Sequence, residues 1–333
     1  MHSGKRLSVF LALFVGFFLS QTVKAEQVWQ AKVGGQSKDM SKQAAAFLPN
    51  EMWIHVGDSI NWTSGSDDIH TVSFFVTGQN YGNFNVGCPG FSLTGVSFDG
   101  SHCVTTPTLT TGQSFSIKFT GPGNFKMICL VHTGMTGVIH VLAKSAPLPH
   151  DQAFYNDEAK DQQNSLIKDS DHGGMDMDMD KMESVRVIPG KHSVTAGTGE
   201  LNATAAGFES LSVVRFLKGT IEINEGDTLE FTNLDPTLPH TVTFGTEPAP
   251  QLLPVPSANV IPDADGARHV TLSFVGESAH SGFLVAAPQD QMGLPQAAPG
   301  TTVFRVTFTH RGTYDYICAL HDNLGMVGKV IVK

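Results

Sequence analysis

Two groups of side chains in this sequence have the types and spacing of a metal site. Each group combines one cysteine, two histidines and one methionine, with one histidine far upstream of the other three. The first group is His70, Cys129, His132 and Met135, and the second is His240, Cys318, His321 and Met326. A thiolate and two imidazoles in one plane, with a weak axial thioether, form the ligand set of copper electron-transfer sites. A single Cys or His is usually a core residue, but two matching groups favour two metal sites.

These ligands lie in a chain that repeats itself. Segments 57–63 and 70–74 recur as segments 226–232 and 240–244. Within each copy, apolar and polar residues alternate over short stretches that Gly-Asp turns separate, a pattern typical of half-buried strands. The sequence therefore predicts an all-β protein with one β-sandwich in each half.

The region between the copies has a different composition. Residues 144–184 contain Pro147, Pro149 and the tract from Asp171 to Met182, in which Met and Asp alternate over 175–180. Thioethers in this tract could bind Cu(I), but the alternation with Asp favours a solvated, flexible linker. We predict a first domain at 26–143, an acidic Met/Asp-rich linker at 144–184 and a second domain at 185–333.

Both halves resemble the cupredoxins, the plastocyanin-like blue-copper family. The Cys-x2-His-x4-Met spacing from Cys318 resembles plastocyanin, whereas the Cys-x2-His-x2-Met spacing from Cys129 resembles amicyanin. The resemblance implies two tandem Greek-key sandwiches and makes both ligand groups type 1 copper sites, so the expected cofactor is two copper ions. It also implies that His132 and His321 lie near the surface as electron ports.

The sequence departs from the family pattern in places that affect the copper. Many cupredoxins have an Asn directly after the first His ligand, and its side chain helps to hold the ligand loop in place. This sequence has Thr71 and Thr241 at those positions, so the resemblance does not identify the groups that tune the metal. The two ligand loops also differ in length, which predicts different reduction potentials.

Several features indicate an exported protein. Residues 1–25 combine a basic start, a short apolar run and a small-residue cleavage site, which predicts a signal peptide and a periplasmic or secreted location. No other stretch is apolar enough to span a membrane. Cys88 and Cys103 lie close together in a Gly/Pro-rich loop and are predicted to form a disulfide in that oxidising space. A net charge of −10 argues against nucleic acid as a partner.

We therefore expect an electron carrier between redox partner proteins, and no enzyme activity. Copper nitrite reductases and multicopper oxidases add a His beside the Cys ligand and His-x-His pairs. Here Ile128 and Ile317 precede the cysteines, and the sequence has no His-x-His pair. Two alternatives stay open: a copper storage or delivery protein, and an enzyme with copper held between domains.

Overall fold

A computed structural model describes residues 25–76, 96–132, 134–172, 191–286 and 301–333. Three predicted features fall wholly or mainly outside them: the signal peptide, Cys88 and the Met/Asp tract. Among the described residues, no helix is long and apolar enough to cross a membrane.

Short strands make up almost the whole of the first half. They are β1 (Val28–Gln36), β2 (Lys42–Leu48), β3 (Glu51–His55), β4 (Ser59–Ser64), β5 (Ser73–Phe74), β6 (Val96–Phe98), β7 (Val104–Thr105), β8 (Ser114–Phe119), β9 (Gly123–Ile128) and β10 (Thr136–Leu142). One helix, α1 (Gln152–His172), follows them.

The second half contains strands and two short 3-10 helices, Pro250–Leu252 and Asp322–Leu324. Its strands are β11 (Lys191–Thr204), β12 (Gly207–Leu217), β13 (Thr220–Ile223), β14 (Thr228–Leu234), β15 (Thr243–Phe244), β16 (Ile261–Pro262), β17 (Arg268–Leu272), β18 (Ala279–His280), β19 (Val303–Phe308), β20 (Gly312–Ile317) and β21 (Val327–Val332).

Each half is a β-sandwich, which confirms the predicted fold class. In the first half, the sheet β3-β10-β9-β5-β7 packs against the series β2-β1-β4-β8-β6. In the second half, β13-β21-β20-β15-β18 packs against β12-β11-β14-β19-β17, so the strand order is the same. A separate buried cluster fills each sandwich, with Trp62 and Phe119 in the first and Phe231 and Tyr316 in the second.

The alternation read from the sequence corresponds to the burial of individual strands. In β8 the phenylalanines and the isoleucine face the core, whereas the residues between them are exposed or half-buried. The same period of two holds along β14 and β19. A period of two places successive side chains on opposite faces of a sheet, so these strands have one core face.

The two sandwiches share a sheet. Strand β2 pairs antiparallel with β12, with Ala44 opposite Leu211 and Gln43 opposite Ser212. This pairing, which we call the joint, merges the larger sheets of both halves into one eleven-stranded sheet. The halves are thus held together by backbone hydrogen bonds as well as by the connecting chain.

The prediction of a flexible linker was wrong for Gln152–His172, which forms α1. Tyr155, Ala159 and Leu166 are buried on one side of this helix, and Ala159 and Leu166 pack on the outer face of β2. Because these few apolar residues lie among many polar ones in the sequence, the composition of the segment is typical of a linker. Tertiary packing against small alanines of β2 stabilises it instead. The domain boundaries stay a prediction.

We expect Leu166→Ala to lower the free energy of unfolding by about 2–4 kcal/mol, because it removes buried contacts and leaves a cavity between α1 and β2. The matched control is Lys160→Ala on the exposed side of the helix, which should change stability by less than about 0.5 kcal/mol. Urea denaturation followed by far-ultraviolet circular dichroism measures both. Equal, negligible effects would mean that α1 does not pack as described.

Candidate metal centres

The first candidate centre, site 1, is built at the end of a strand pair. Cys129 directly follows β9 and Met135 directly precedes β10, so the loop between them spans the end of the sandwich. The Cys129 N–H donates to the Met135 carbonyl at 3.0 Å, and the Met135 N–H donates to the His132 carbonyl at 3.3 Å. These bonds close the loop into a tight turn that holds His132 beside Cys129.

The remaining ligand of site 1 comes from a different part of the sandwich. His70 exchanges both backbone hydrogen bonds with Leu109, at 3.0 and 2.7 Å. Three residues later, β5 pairs with β9, with Ser73 opposite Ile128. This register brings His70 to the same end of the sheet as Cys129.

The second candidate centre, site 2, has the same construction. Cys318 follows β20, and its N–H donates to the Met326 carbonyl at 3.0 Å. His321 precedes the 3-10 helix Asp322–Leu324, which lengthens this loop relative to site 1. His240 exchanges backbone hydrogen bonds with Leu284, at 2.9 and 2.7 Å.

In both halves the predicted ligand atoms converge. One nitrogen of each histidine and the sulfur of the cysteine lie within 4.8 Å of one another, and all six residues are buried. In site 1 the Sγ of Cys129 is 3.5 Å from Nδ1 of His132. In site 2 the two Nδ1 atoms, of His240 and His321, are 3.1 Å apart. The two methionines are fully buried in the adjoining cores.

Hydrogen bonds determine which nitrogens of site 1 face the sulfur. The Ser66 hydroxyl donates to the Asp68 carbonyl at 3.3 Å, so its oxygen accepts from Nε2–H of His70 at 2.8 Å. Nδ1 of His70 then carries a lone pair, is buried and has no partner among the described residues. Likewise, Nε2–H of His132 donates to the Asp68 carboxylate at 2.9 Å. Both Nδ1 atoms are therefore available to a metal ion.

Site 2 holds its upstream histidine differently. The nearest carboxylate oxygen of Asp235 is 3.8 Å from Nε2 of His240, which is too long for a hydrogen bond. The other oxygen of Asp235 accepts from Thr237 N–H, the Thr237 hydroxyl and Leu238 N–H, at 2.9, 3.0 and 3.0 Å. Asp235 thus shapes the loop before His240 and places negative charge beside its ring.

Thr71 and Thr241 do pin the ligand loops. The hydroxyl oxygen of Thr71 accepts from Leu130 N–H at 2.7 Å, and that of Thr241 accepts from Ala319 N–H at 2.8 Å. Their own backbone N–H groups point at the cysteine sulfurs, at 3.4 Å in site 1 and 3.3 Å in site 2. Each threonine therefore fixes the residue after the cysteine through its hydroxyl oxygen and offers its backbone N–H to the sulfur.

The surroundings of both cysteines favour the thiolate form over the thiol. Burial raises the pKa of the Cys129 thiol, but hydrogen bonding and attraction from His132 and His70 outweigh it and hold the pKa well below its usual value. The same balance, with His321 and His240 as the opposing groups, holds the pKa of Cys318 well below its usual value. A thiolate is the form of cysteine that binds metals.

A soft thiolate, two imidazoles whose nitrogens converge on it and a buried thioether in the same loop fit copper by the chemistry of the donor set. In site 1 the lone pair on Nδ1 of His70 has no other use among the described residues. In site 2 two facing nitrogens at 3.1 Å repel each other unless a cation or a proton lies between them.

The resemblance implies that His132 and His321 lie near the surface as electron ports, but neither ring is exposed. His132 is 1% exposed and His321 is 4% exposed, so both rings are buried. The Asp68 carboxylate occupies the outer nitrogen of His132, whereas no hydrogen-bond partner reaches Nε2 of His321 within the described part of the chain. The two sites therefore differ in what covers their loop histidines.

Five residues that shape the sites were missed by sequence reasoning: Gly34, Ser66, Asp68, Gly197 and Asp235. Gly34 and Gly197 have φ angles of 71° and 79° and lie against the rings of His70 and His240, where a Cβ atom would collide. They share a signal, because each sits in the first strand of its half at a β-bulge. Ser66, Asp68 and Asp235 share only a position shortly before the upstream histidine.

One of the two cysteines of the predicted disulfide, Cys103, lies among the described residues. Cys103 is disulfide-bonded, and Cys129 and Cys318 are free thiols. Cys88 lies outside the described residues, so the pairing of Cys88 with Cys103 stays a prediction.

Comparisons with known proteins also point to copper. Residues 202–333 match the family model described as copper binding proteins, plastocyanin/azurin family. Plastocyanin of Lactuca sativa is 57% identical over 36 residues, which are 11% of this chain and 35% of that protein. The chain thus spans about a third of the length of this relative.

Solved structures similar to part of the chain include a reduced amicyanin variant, with 20% identity and a TM-score of 0.24 over 34% of this chain and 82% of that one. A purple cupredoxin from Nitrosopumilus maritimus has 17% identity and a TM-score of 0.23 over 34% of this chain and 99% of that one. Residues 202–333, in the second half of the chain, are thus similar to the copper-binding plastocyanin/azurin family.

Proposed function

We propose that this protein is an electron carrier with two type 1 copper sites, one in each sandwich. The observation that carries the proposal is the convergence, in each half, of one buried thiol and two imidazole nitrogens within 4.8 Å. His70, Cys129, His132 and Met135 would hold one ion. The second ion would be held by His240, Cys318, His321 and Met326.

Copper bound in this way supplies a one-electron couple, Cu(II)/Cu(I). The protein's contribution is a donor set that is already assembled. Threonine hydroxyls fix the chain after each cysteine, and Ser66 and Asp68 fix the imidazole rings of site 1. Ligands that cannot rearrange favour rapid electron transfer, because little structure changes between the two oxidation states.

The partners that fit this role are redox proteins outside the cytoplasm. A donor and an acceptor would exchange one electron at a time with the copper sites, and no proton needs to move with it. The formal charge of −10 favours partners with a basic docking face.

We expect two copper ions per chain and an intense visible absorption from thiolate-to-copper charge transfer. Cys129→Ser and Cys318→Ser should each remove one copper and about half of the colour, because each thiolate serves one site. Metal analysis with visible and spin-resonance spectra measures both. Loss of all colour in either folded single variant would contradict two independent sites.

Gly34→Ala should abolish or distort copper binding at site 1, because the new methyl group would occupy the position of the His70 ring. Gly112→Ala is the matched control, since Gly112 has a φ of 78° and nothing within 4 Å of its Cβ position. Both variants cost about 1–2 kcal/mol of backbone strain, but only Gly34→Ala should change the copper content and the visible spectrum. Equal copper content in the two variants would show that Gly34 does not position His70.

Asp68→Asn should raise the reduction potential of site 1, because a carboxylate beside His132 stabilises Cu(II) more than Cu(I). The expected shift is on the order of 60 mV, a tenfold change in a one-electron equilibrium. Asp67→Asn is the control, because Asp67 bonds to Gln36 and Thr111 instead of a ligand. A redox titration that resolves both sites measures the shift, and an unchanged or lowered potential for site 1 would contradict this role of Asp68.

A further inference from the structure

The joint brings the two sites towards each other as well as connecting the sandwiches. In site 1, the ligand loop contacts the β11–β12 hairpin of the other half. Thr136, the residue after Met135, accepts at its hydroxyl oxygen from Phe208 N–H at 2.9 Å. Leu201 packs over Gly134, 2.8 Å from the position that a Cβ atom would take there.

In site 2 the attachment to the first half is indirect, because it runs through Arg215 of the same half. Arg215 of β12 donates to the Leu324 carbonyl in the ligand loop at 2.7 Å. The same guanidinium donates to the Asp39 carbonyl, in the β1–β2 turn of the first half, at 2.7 Å. Met40 of that turn packs against the core of the second half. Each ligand loop is therefore attached to the hairpin that forms the joint.

One charged residue beside site 1 lies on a loop that reaches the joint. Asp68 is buried and bonded to His132 at 2.9 Å. The backbone N–H of its neighbour Asp67 donates to the side-chain oxygen of Gln36 at 2.9 Å, and the same oxygen accepts from Gln43 of the joint at 3.3 Å. The loop that carries Asp68 is therefore connected to the joint by hydrogen bonds.

We propose that the two copper sites exchange electrons directly across the joint, with Asp68 beside His132 as a positioning residue. This inference rests on the proposed function. With copper in both sites, one electron would pass from Cu(I) in one site to Cu(II) in the other, so that the first would be oxidised, the second reduced, and no proton would move. Because Asp68 closes the outer nitrogen of His132, site 1 exchanges with outside partners through site 2.

Three properties of the structure favour this route. The joint is a backbone-paired sheet, so the separation of the sites is fixed instead of varying with a flexible tether. The residues at the joint are buried, with Ser210 and Ser212 at 0% and Gln43 at 1% exposure, so they are shielded from bulk solvent. The loop histidine of site 1, His132, is covered by a carboxylate of its own half.

The first experiment measures proximity without turnover. In the fully oxidised protein, pulsed spin-resonance spectroscopy should detect a dipolar interaction with one narrow distance between the two Cu(II) ions. Cys129→Ser and Cys318→Ser, each with one copper, should lose it. Two type 1 coppers without a resolved dipolar interaction, or with a broad range of distances, would overturn the inference while leaving the proposed function intact.

The second experiment measures exchange. After a pulse of a small reductant, the colour of site 1 should be lost in a step whose rate is independent of protein concentration. Cys318→Ser, which keeps only site 1, should react with the same reductant more slowly than Cys129→Ser, which keeps only site 2. If site 1 alone reacts as fast as site 2 alone, it does not depend on site 2 and the inference fails.

A third arm tests Asp68 itself. Asp68→Ala should slow the concentration-independent step and open site 1 to direct reduction, whereas Asp67→Ala should change neither rate. If Asp68→Ala loses copper from site 1, Asp68→Asn, which keeps a hydrogen-bond acceptor for His132, provides the same comparison. Unchanged rates in a variant that keeps both coppers would contradict the role of Asp68. Fewer than two type 1 coppers in the unmodified protein would instead contradict the proposed function, and the exchange with it.

Discussion

A negatively charged sulfur inside an apolar core is the constraint on which each half of the structure depends. Cys129 and Cys318 are buried, and an uncompensated charge in such surroundings costs several kcal/mol. In each half two imidazoles and a threonine N–H approach the sulfur and offset that cost. These groups come from separate strand ends, so the compensation exists only while the pairing of β5 with β9, and of β15 with β20, keeps its register. The sandwich and the metal site therefore stabilise each other.

The two halves use the same strand order and ligand types but do not surround the sites in the same way. In site 1 a serine and a carboxylate bond directly to the two imidazoles. In site 2 the carboxylate of Asp235 holds the loop before His240, and its free oxygen remains 3.8 Å from the ring. Hydrogen bonds from these groups set the basicity of the imidazoles, and with copper bound as proposed they would also set the balance between Cu(II) and Cu(I). The difference between the sites thus comes from residues near the ligands as much as from loop length.

Sequence reasoning found the fold class and the Cys and His residues that converge in each half, because both follow from local patterns. A Cys, His and Met in one loop are neighbours along the chain, and a period of two follows from the geometry of a strand. Asp68 could not be found this way, since its contact with His132 depends on how two loops meet. Helix α1 was missed because its buried residues gain stability only by packing on β2. The limits of prediction here are contacts between segments that are distant in the sequence.

The joint is also a contact between segments that are distant in the sequence, since it pairs β2 with β12. The burial of β2 is continuous from Gln43 to Leu48, because the core covers one face and α1 covers the other. Its neighbour β12 is also buried over most of its length. Exposed strand edges invite pairing with other chains, and these two edges are satisfied by each other. The β11–β12 hairpin, which carries one of these edges, also bonds to both ligand loops, from Phe208 to Thr136 and from Arg215 to Leu324. Protecting the edges and anchoring the ligand loops are therefore one structural solution, and a change that opens the joint must alter both.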